Sequence, residues 1–252
     1  MGTLPRLFHF FCCFIPFVLR YSRFFVTFEL AMSLPGFSHL GDLLRTLMKK
    51  ELRRLEFPQT TVYIGENIQS VPHDEVMRLL ETLPAWRKEK ALAIKNDSVR
   101  RESVLSFALL MHALKKEMGV TGGLEVTYTE HGKPLLKHHP GVHFNLSHCR
   151  EAVACAVGEC QVGVDVERRG RYDEVLARHI SNDNELDGIL EDADSDLAFT
   201  TLWTKKEALL KMTGAGVGGN MKNVLDGETL CDISTVVADS YVCSVAVDKK
   251  AR

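Results

Sequence analysis

"QVGVDVERR", Gln161–Arg169, sets two acids into a run of valines that otherwise has the composition of a buried strand. In an extended strand successive side chains point to opposite faces. Asp165 and Glu167 therefore share one face, and Val164 and Val166 share the other. Two carboxylates this close raise each other's pKa or recruit a cation, and a hard divalent ion with oxygen ligands answers that arrangement. An edge strand with one wet face, its acids paired with Arg168 and Arg169, accounts for the same letters.

The surroundings place this strand in an α+β chain. Short β patterns cluster after Gly119: "LEVTYTEHGKPLL", "VHFNLSHC" and "AVACAVG" come before it, and "SYVCSVAVD" closes the chain with an echo of "EAVACAVGE". "TTVYIGE" (60–66) reads as an earlier strand. Residues 73–114 are helical in pattern with a break at Pro84, and "LGDLLRTLMKKELRRL" (40–55) has leucines at helical spacing with a basic face. "LWTKKEALLKMTGAGVGG" is a helix ending in glycines. Strands and helices recur in both halves without the regular βαβ alternation of a parallel sheet.

Three further constellations carry chemistry. In "WTKKEALLK", helical spacing puts Trp203, Glu207 and Lys211 on one stripe, while Leu209 and Leu210 turn to a core. This brings a third carboxylate and an ammonium one turn apart, although the same order makes an ordinary surface ion pair. In "FNLSH", Ser147 and His148 are adjacent on a strand and point apart. That rules out a nucleophile and its base but suits phosphate binding at a strand end. In "HGKPLL", a turn presents Lys133 to an anionic group. His138, His139 and His143 lack the carboxylate or cysteine pattern of a zinc site, and the Asn145 sequon sits in core strand.

Composition limits the partners. The 252 residues are 45% hydrophobic and 25% charged with a net charge of −2, so no global basic field draws nucleic acid or an anionic membrane. The seven cysteines form no CxxC pair and read as reduced core thiols of a cytoplasmic protein. The first 31 residues are rich in phenylalanine and lack an acid before Glu29. Their uncharged run from Leu7 to Leu19 is too short to span a bilayer, and they read as a leader, a disordered tail or an over-extended reading frame ahead of Met32.

"GVDVE", followed by "WTKKEALLK", resembles the two signature motifs of the 4'-phosphopantetheinyl transferases. "HGKPLL" and "FNLSH" resemble that family's G-K-P and N-x-S-H elements in the same order. The resemblance implies the larger single-chain class: two similar α/β halves, here 32–141 and 142–252, with the active site between them and the metal site in the second. It implies a monomeric, Mg²⁺-dependent enzyme that moves the phosphopantetheine arm of coenzyme A to a serine of an apo acyl or peptidyl carrier protein, releasing adenosine 3',5'-bisphosphate. By motif position Asp165, Glu167 and Glu207 would hold Mg²⁺. Lys133 and Ser147 would lie along the coenzyme A nucleotide, and His148 would meet its 3'-phosphate. Lys95 and Arg100, from the basic cluster at 87–101, would be further coenzyme A contacts. Glu207, or a water on the metal, would take the serine proton, and Lys211 would stabilise the departing phosphate. Cys149 stands where the family commonly has a small hydroxyl residue.

Two other functions fit some of these residues. A D-x-E pair with a later Glu and Lys also suits a Mg²⁺-dependent nuclease or phosphohydrolase, against which the acidic balance and missing basic stripe weigh. A non-catalytic, coenzyme A-binding module tethered by the apolar leader is the third.

Overall fold

The computed structural model describes residues 52–249, apart from Gly123, Arg171 and residues 217–220. The leader and most of the 40–55 segment lie outside these residues. The end of that segment is not helical: residues 52–55 open β1 (Leu52–Phe57), which turns through Pro58 and Gln59 into β2 (Thr60–Glu66). Gln59 takes the left-handed conformation at φ 57° that this tight connection requires.

Two antiparallel sheets dominate. The first has the order β1-β2-β6-β5, with β5 at His143–His148 and β6 at Ala152–Gly158. The second has the order β7-β9-β8, with β7 at Val162–Arg168, β8 at Cys231–Val237 and β9 at Tyr241–Asp248. A small hairpin pairs β3 (Val126–Tyr128) with β4 (Pro134–Leu136). The expected division at 141/142 does not follow the sheets. Residues 143–158 complete the first sheet, β6 pairing with β2 and β5 with β6, and the second sheet begins at Val162.

Each sheet carries one long helix. Helices α1 (His73–Thr82) and α2 (Ala85–Leu92) flank Pro84, and α3 (Asp97–Met118) starts where the Asn96 side chain accepts the Val99 N–H at 3.1 Å. Helix α3 covers the first sheet, and its Leu105, Leu109 and Ala113 are buried with Tyr63, Val153 and Cys155. After α4 (Glu174–Ile180) and α5 (Asp183–Glu191), helix α6 (Ser195–Thr213) covers the second sheet and ends at Gly214, φ 72°. The strand orders β2-β6-β5 and β7-β9-β8 are the same when each unit is read in chain order, with its long helix after the first strand.

The alternation read from "VGVDVE" holds. Val162, Val164 and Val166 are fully buried in an apolar layer with Val62, Ala154 and Val245. Gly163 faces α6 so closely that a Cβ there would lie 2.0 Å from the Ala208 carbonyl oxygen and 2.4 Å from the Met212 nitrogen. Only glycine admits this approach.

Candidate active site

The site lies where the two sheets meet. β7 pairs with β9 along one edge, and its other edge faces β5. There, side chains replace a backbone ladder: Asn145 Oδ1 accepts the Val164 N–H at 2.9 Å, and Ser147 Oγ accepts the Val166 N–H at 3.2 Å. Both residues are buried, so these bonds satisfy amides that the fold would otherwise leave dry.

Ser147 also donates to Asp165 Oδ1 at 2.9 Å and accepts from Lys211 Nζ at 3.1 Å. Its single donor and two acceptor positions are thereby engaged. Lys211 donates to the same Asp165 oxygen at 2.6 Å. Lys211 thus forms an interior ion pair between α6 and β7, not an ordinary surface pair along its own helix. Asp165 is 3% exposed, and its Oδ2 is buried with no hydrogen-bond partner among the described residues.

Glu207 stands on α6 one turn before Lys211. Burial pushes its carboxyl up, Lys211 pulls it down and Asp165 pushes it up again, leaving a pKa of about 7. Burial disfavours the Lys211 ammonium, but Asp165 and Glu207 outweigh that effect, so its pKa is raised. Glu167 lies half-buried two residues along β7 on the same face. Among the described residues no three His, Cys, Asp or Glu side chains are grouped as a ready metal cage. The donor chemistry nevertheless fits a hard cation: an orphaned carboxylate oxygen on Asp165, a Glu207 whose ionisation Asp165 opposes, and a third acid beside them.

His148 ends β5, and its Nδ1 lies 3.1 Å from Glu102 Oε2 on α3. Lys133 does not stand exposed on its turn. It is 8% exposed, bonds Gln161 Oε1 at 2.5 Å and the Met212 carbonyl, and packs beside Gly214 at the end of α6. Burial draws its ammonium down to about 8, with Asp248 opposing. Arg100 is tied to the entrance of its own helix, donating to the Ile94 carbonyl at 2.6 and 3.0 Å and to Asp97 at 2.8 Å, and Lys95 is exposed in the link before it. The structure therefore gathers Ser147, Asp165, Glu207 and Lys211, with Glu167 beside them. Lys133 stands at the far end of α6, and Arg100 at the start of α3. Cys149, buried next to His148, has its thiol pushed up to about 12 and is inert.

Sequence reasoning gave no role to Asn145, the amide that bridges two sheet edges, although it opens the N-x-S-H element, and it missed Glu102, since a helical acid behind His148 has no local signature. It also missed Lys206, which is wholly buried. Lys206 donates to Glu185 at 2.6 Å and to the carbonyls of Ile180, Met221 and Lys222 at 2.9, 2.8 and 3.2 Å. It fastens α4, α5 and the following 3-10 segment to the helix that carries Glu207.

Two sheets meet edge to edge around a buried Asp-Lys-Ser knot, with further acids beside it. Comparison with known proteins names the class. The profile of the 4'-phosphopantetheinyl transferase superfamily matches residues 161–242. The chain is 32% identical over 174 residues to the 4'-phosphopantetheinyl transferase HetI of Nostoc sp., covering 64% of this chain and 73% of that protein. It is 34% identical over 120 residues to 4'-phosphopantetheinyl transferase psf-1 of Bacillus pumilus, covering 46% and 52%, so the alignment spans about half of that relative. With 4'-phosphopantetheinyl transferase Sfp of Bacillus subtilis it shares 24% over 183 residues, covering 69% and 82%. The chain belongs to the 4'-phosphopantetheinyl transferase superfamily.

Among the described residues no helix is long and apolar enough to cross a membrane.

Proposed function

We propose that this protein transfers the 4'-phosphopantetheine arm of coenzyme A to a serine hydroxyl of an apo carrier protein, working as a single chain of two similar halves with the site at their seam. The observation that carries the reading is the buried Asp165, one oxygen held by Lys211 and Ser147 and the other left without a partner, next to a Glu207 with a pKa near 7.

Asp165, Glu167 and Glu207 are the residues that would hold Mg²⁺, which when bound would neutralise charge on the pyrophosphate. Glu207, whose carboxyl burial and Asp165 push up to about 7 against the pull of Lys211, has the basicity that suits acceptance of the serine proton. The serine oxygen forms a bond to the β-phosphorus of coenzyme A as the bond to the bridging oxygen breaks, and adenosine 3',5'-bisphosphate leaves with the electron pair. Lys211, held cationic by Asp165, offsets the charge that develops on that departing phosphate. Ser147 and Asn145 keep β7 in register with β5 and so fix Asp165. Ser147, whose hydroxyl is already saturated, contributes to the coenzyme A site by this positioning, and His148 meets the 3'-phosphate.

Incubation with coenzyme A, Mg²⁺ and apo acyl or peptidyl carriers should add one phosphopantetheine to the carrier serine, read by intact mass. No mass shift across a panel of such carriers would overturn the proposal.

A further inference from the structure

The turn of the β3–β4 hairpin, which belongs to neither large sheet, reaches the elements that carry the site. Thr129 closes that turn: its N–H donates to the Lys133 carbonyl at 2.9 Å, and its Oγ1 accepts the Lys133 N–H at 3.0 Å. Gly132, at φ 83°, supplies the left-handed residue between them. The Lys133 side chain then runs past Gly214, where a Cβ would come within 3.2 Å of its Cδ. Its ammonium arrives between α6 and the entrance of β7. It donates to the Met212 carbonyl in the last turn of α6 and, at 2.5 Å, to Oε1 of Gln161, the residue before β7.

A helix leaves its last carbonyls without intrahelical partners, and a cation placed there also answers the helix dipole. Met212 follows Lys211 directly, and Gln161 leads into the strand of Asp165. One ammonium therefore joins the helix that brings Lys211 to the strand that brings Asp165, at the end where Gly163 already lets α6 lie against β7. We infer that Lys133 is a positioning residue for transfer: it clasps α6 to β7, and so sets Lys211 and Glu207 against Asp165, in place of lying along the coenzyme A nucleotide. This rests on the transfer reaction proposed above.

The test is a cycle of Lys133→Met, Gln161→Leu and the double variant, with steady-state kinetics on coenzyme A and an apo carrier. Each single variant should lower kcat roughly 10–100-fold, the cost of misplacing reacting groups, and leave KM for coenzyme A within about 2-fold of wild type. The double variant should be no slower than the slower single one, because both remove the same clasp. A raised KM for coenzyme A in Lys133→Met with kcat kept would return Lys133 to the nucleotide and overturn the inference. Losses of kcat that multiply in the double variant would overturn it too. Gln161→Leu leaves the ammonium in place, so it decides the matter if Lys133→Met does not fold: wild-type kcat there would sink the clasp. The Gly214 amide, which donates to the Leu210 carbonyl at 2.9 Å, should exchange roughly 10-fold faster in the single variants, the loss expected for a hydrogen bond to a charged group, and unchanged exchange would contradict the clasp. Absence of transfer by the wild type overturns the proposed reaction itself.

Discussion

Gly163 and Ala208 pack with no room between them, since a Cβ at Gly163 would lie 2.0 Å from the Ala208 carbonyl oxygen. The obstacle is helix backbone, which cannot rotate away as a side chain can. Gly163→Ala must therefore push α6 off β7, separating Glu207 and Lys211 from Asp165. The expected result is a destabilisation of about 1–3 kcal/mol by chemical denaturation, typical of overpacking, together with loss of transfer activity. Full activity in a stable Gly163→Ala protein would show that the site does not depend on this approach.

Glu207→Gln keeps the shape of the side chain and removes its basicity. Transfer should fall on the order of 10²–10⁴-fold in kcat, the range for removal of a general base. Because ionised Glu207 is disfavoured by burial and by Asp165, the variant should be no less stable than the wild type in thermal melts. Steady-state kinetics and calorimetry on the same preparation check both halves of this expectation.

Ser147→Ala removes the acceptor of the Val166 amide along with the hydroxyl that supports Asp165. The buried amide left without a partner should cost about 1–3 kcal/mol, and Asn145→Ala should cost a similar amount through Val164. Denaturant midpoints measure this. A neutral effect of both substitutions would mean that the seam is held by the apolar layer alone.

Lys206→Met replaces a buried ammonium that serves Glu185 and three carbonyls. Removing one partner of such a network is expected to cost about 3 kcal/mol or more. Hydrogen exchange should show the loss concentrated in α4 and α5, with the first sheet unaffected. Uniform loosening of the whole chain would contradict a local fastening role.

Glu117 supplies a pH dependence far from the site. Arg54 donates to it at 2.8 and 3.1 Å and Tyr63 donates as well, and together they outweigh burial and hold its carboxyl at about 2, below the ordinary 4.5. A carboxylate depressed on folding stabilises above its unfolded pKa and loses that contribution as pH falls. The stability advantage of the wild type over Glu117→Gln should therefore be full above about pH 4.5 and shrink as pH falls toward 2. Parallel acid titrations of the two proteins by circular dichroism would read it.

Much of this was written locally. "TTVYIGE" matches β2 residue for residue, Pro84 separates α1 from α2, and the helix of "WTKKEALLK" stops at Gly214. The acids of "GVDVE" face away from the buried valines because alternation is a property of the strand itself. What escaped is tertiary. The leucines of 52–55 have helical spacing, yet pairing with β2 claims them for a strand. "CDISTVV" forms an edge strand, β8, with mostly half-buried side chains and so no clean alternation. That β6 returns to pair with β2, bringing β5 with it into the first sheet, has no local signature either. Likewise, nothing in "KEALLK" says that Lys211 prefers Asp165 to Glu207, a preference decided by the approach at Gly163.

The shared strand order gives Asp165 a counterpart. Asp165 is the fourth residue of β7 and pairs with Ser244, the fourth of β9; Tyr63 is the fourth residue of β2 and pairs with Cys155, the fourth of β6. Each faces the long helix of its own unit. Where α6 brings a lysine to the acid, α3 brings His112 edge-on to the tyrosine ring at 5.4 Å. The same strand position thus carries an ion pair in one sheet and aromatic packing in the other. At matching strand positions the second sheet holds a buried charge where the first holds only ring packing, so the first contributes rigidity at the place where the second gathers polar groups.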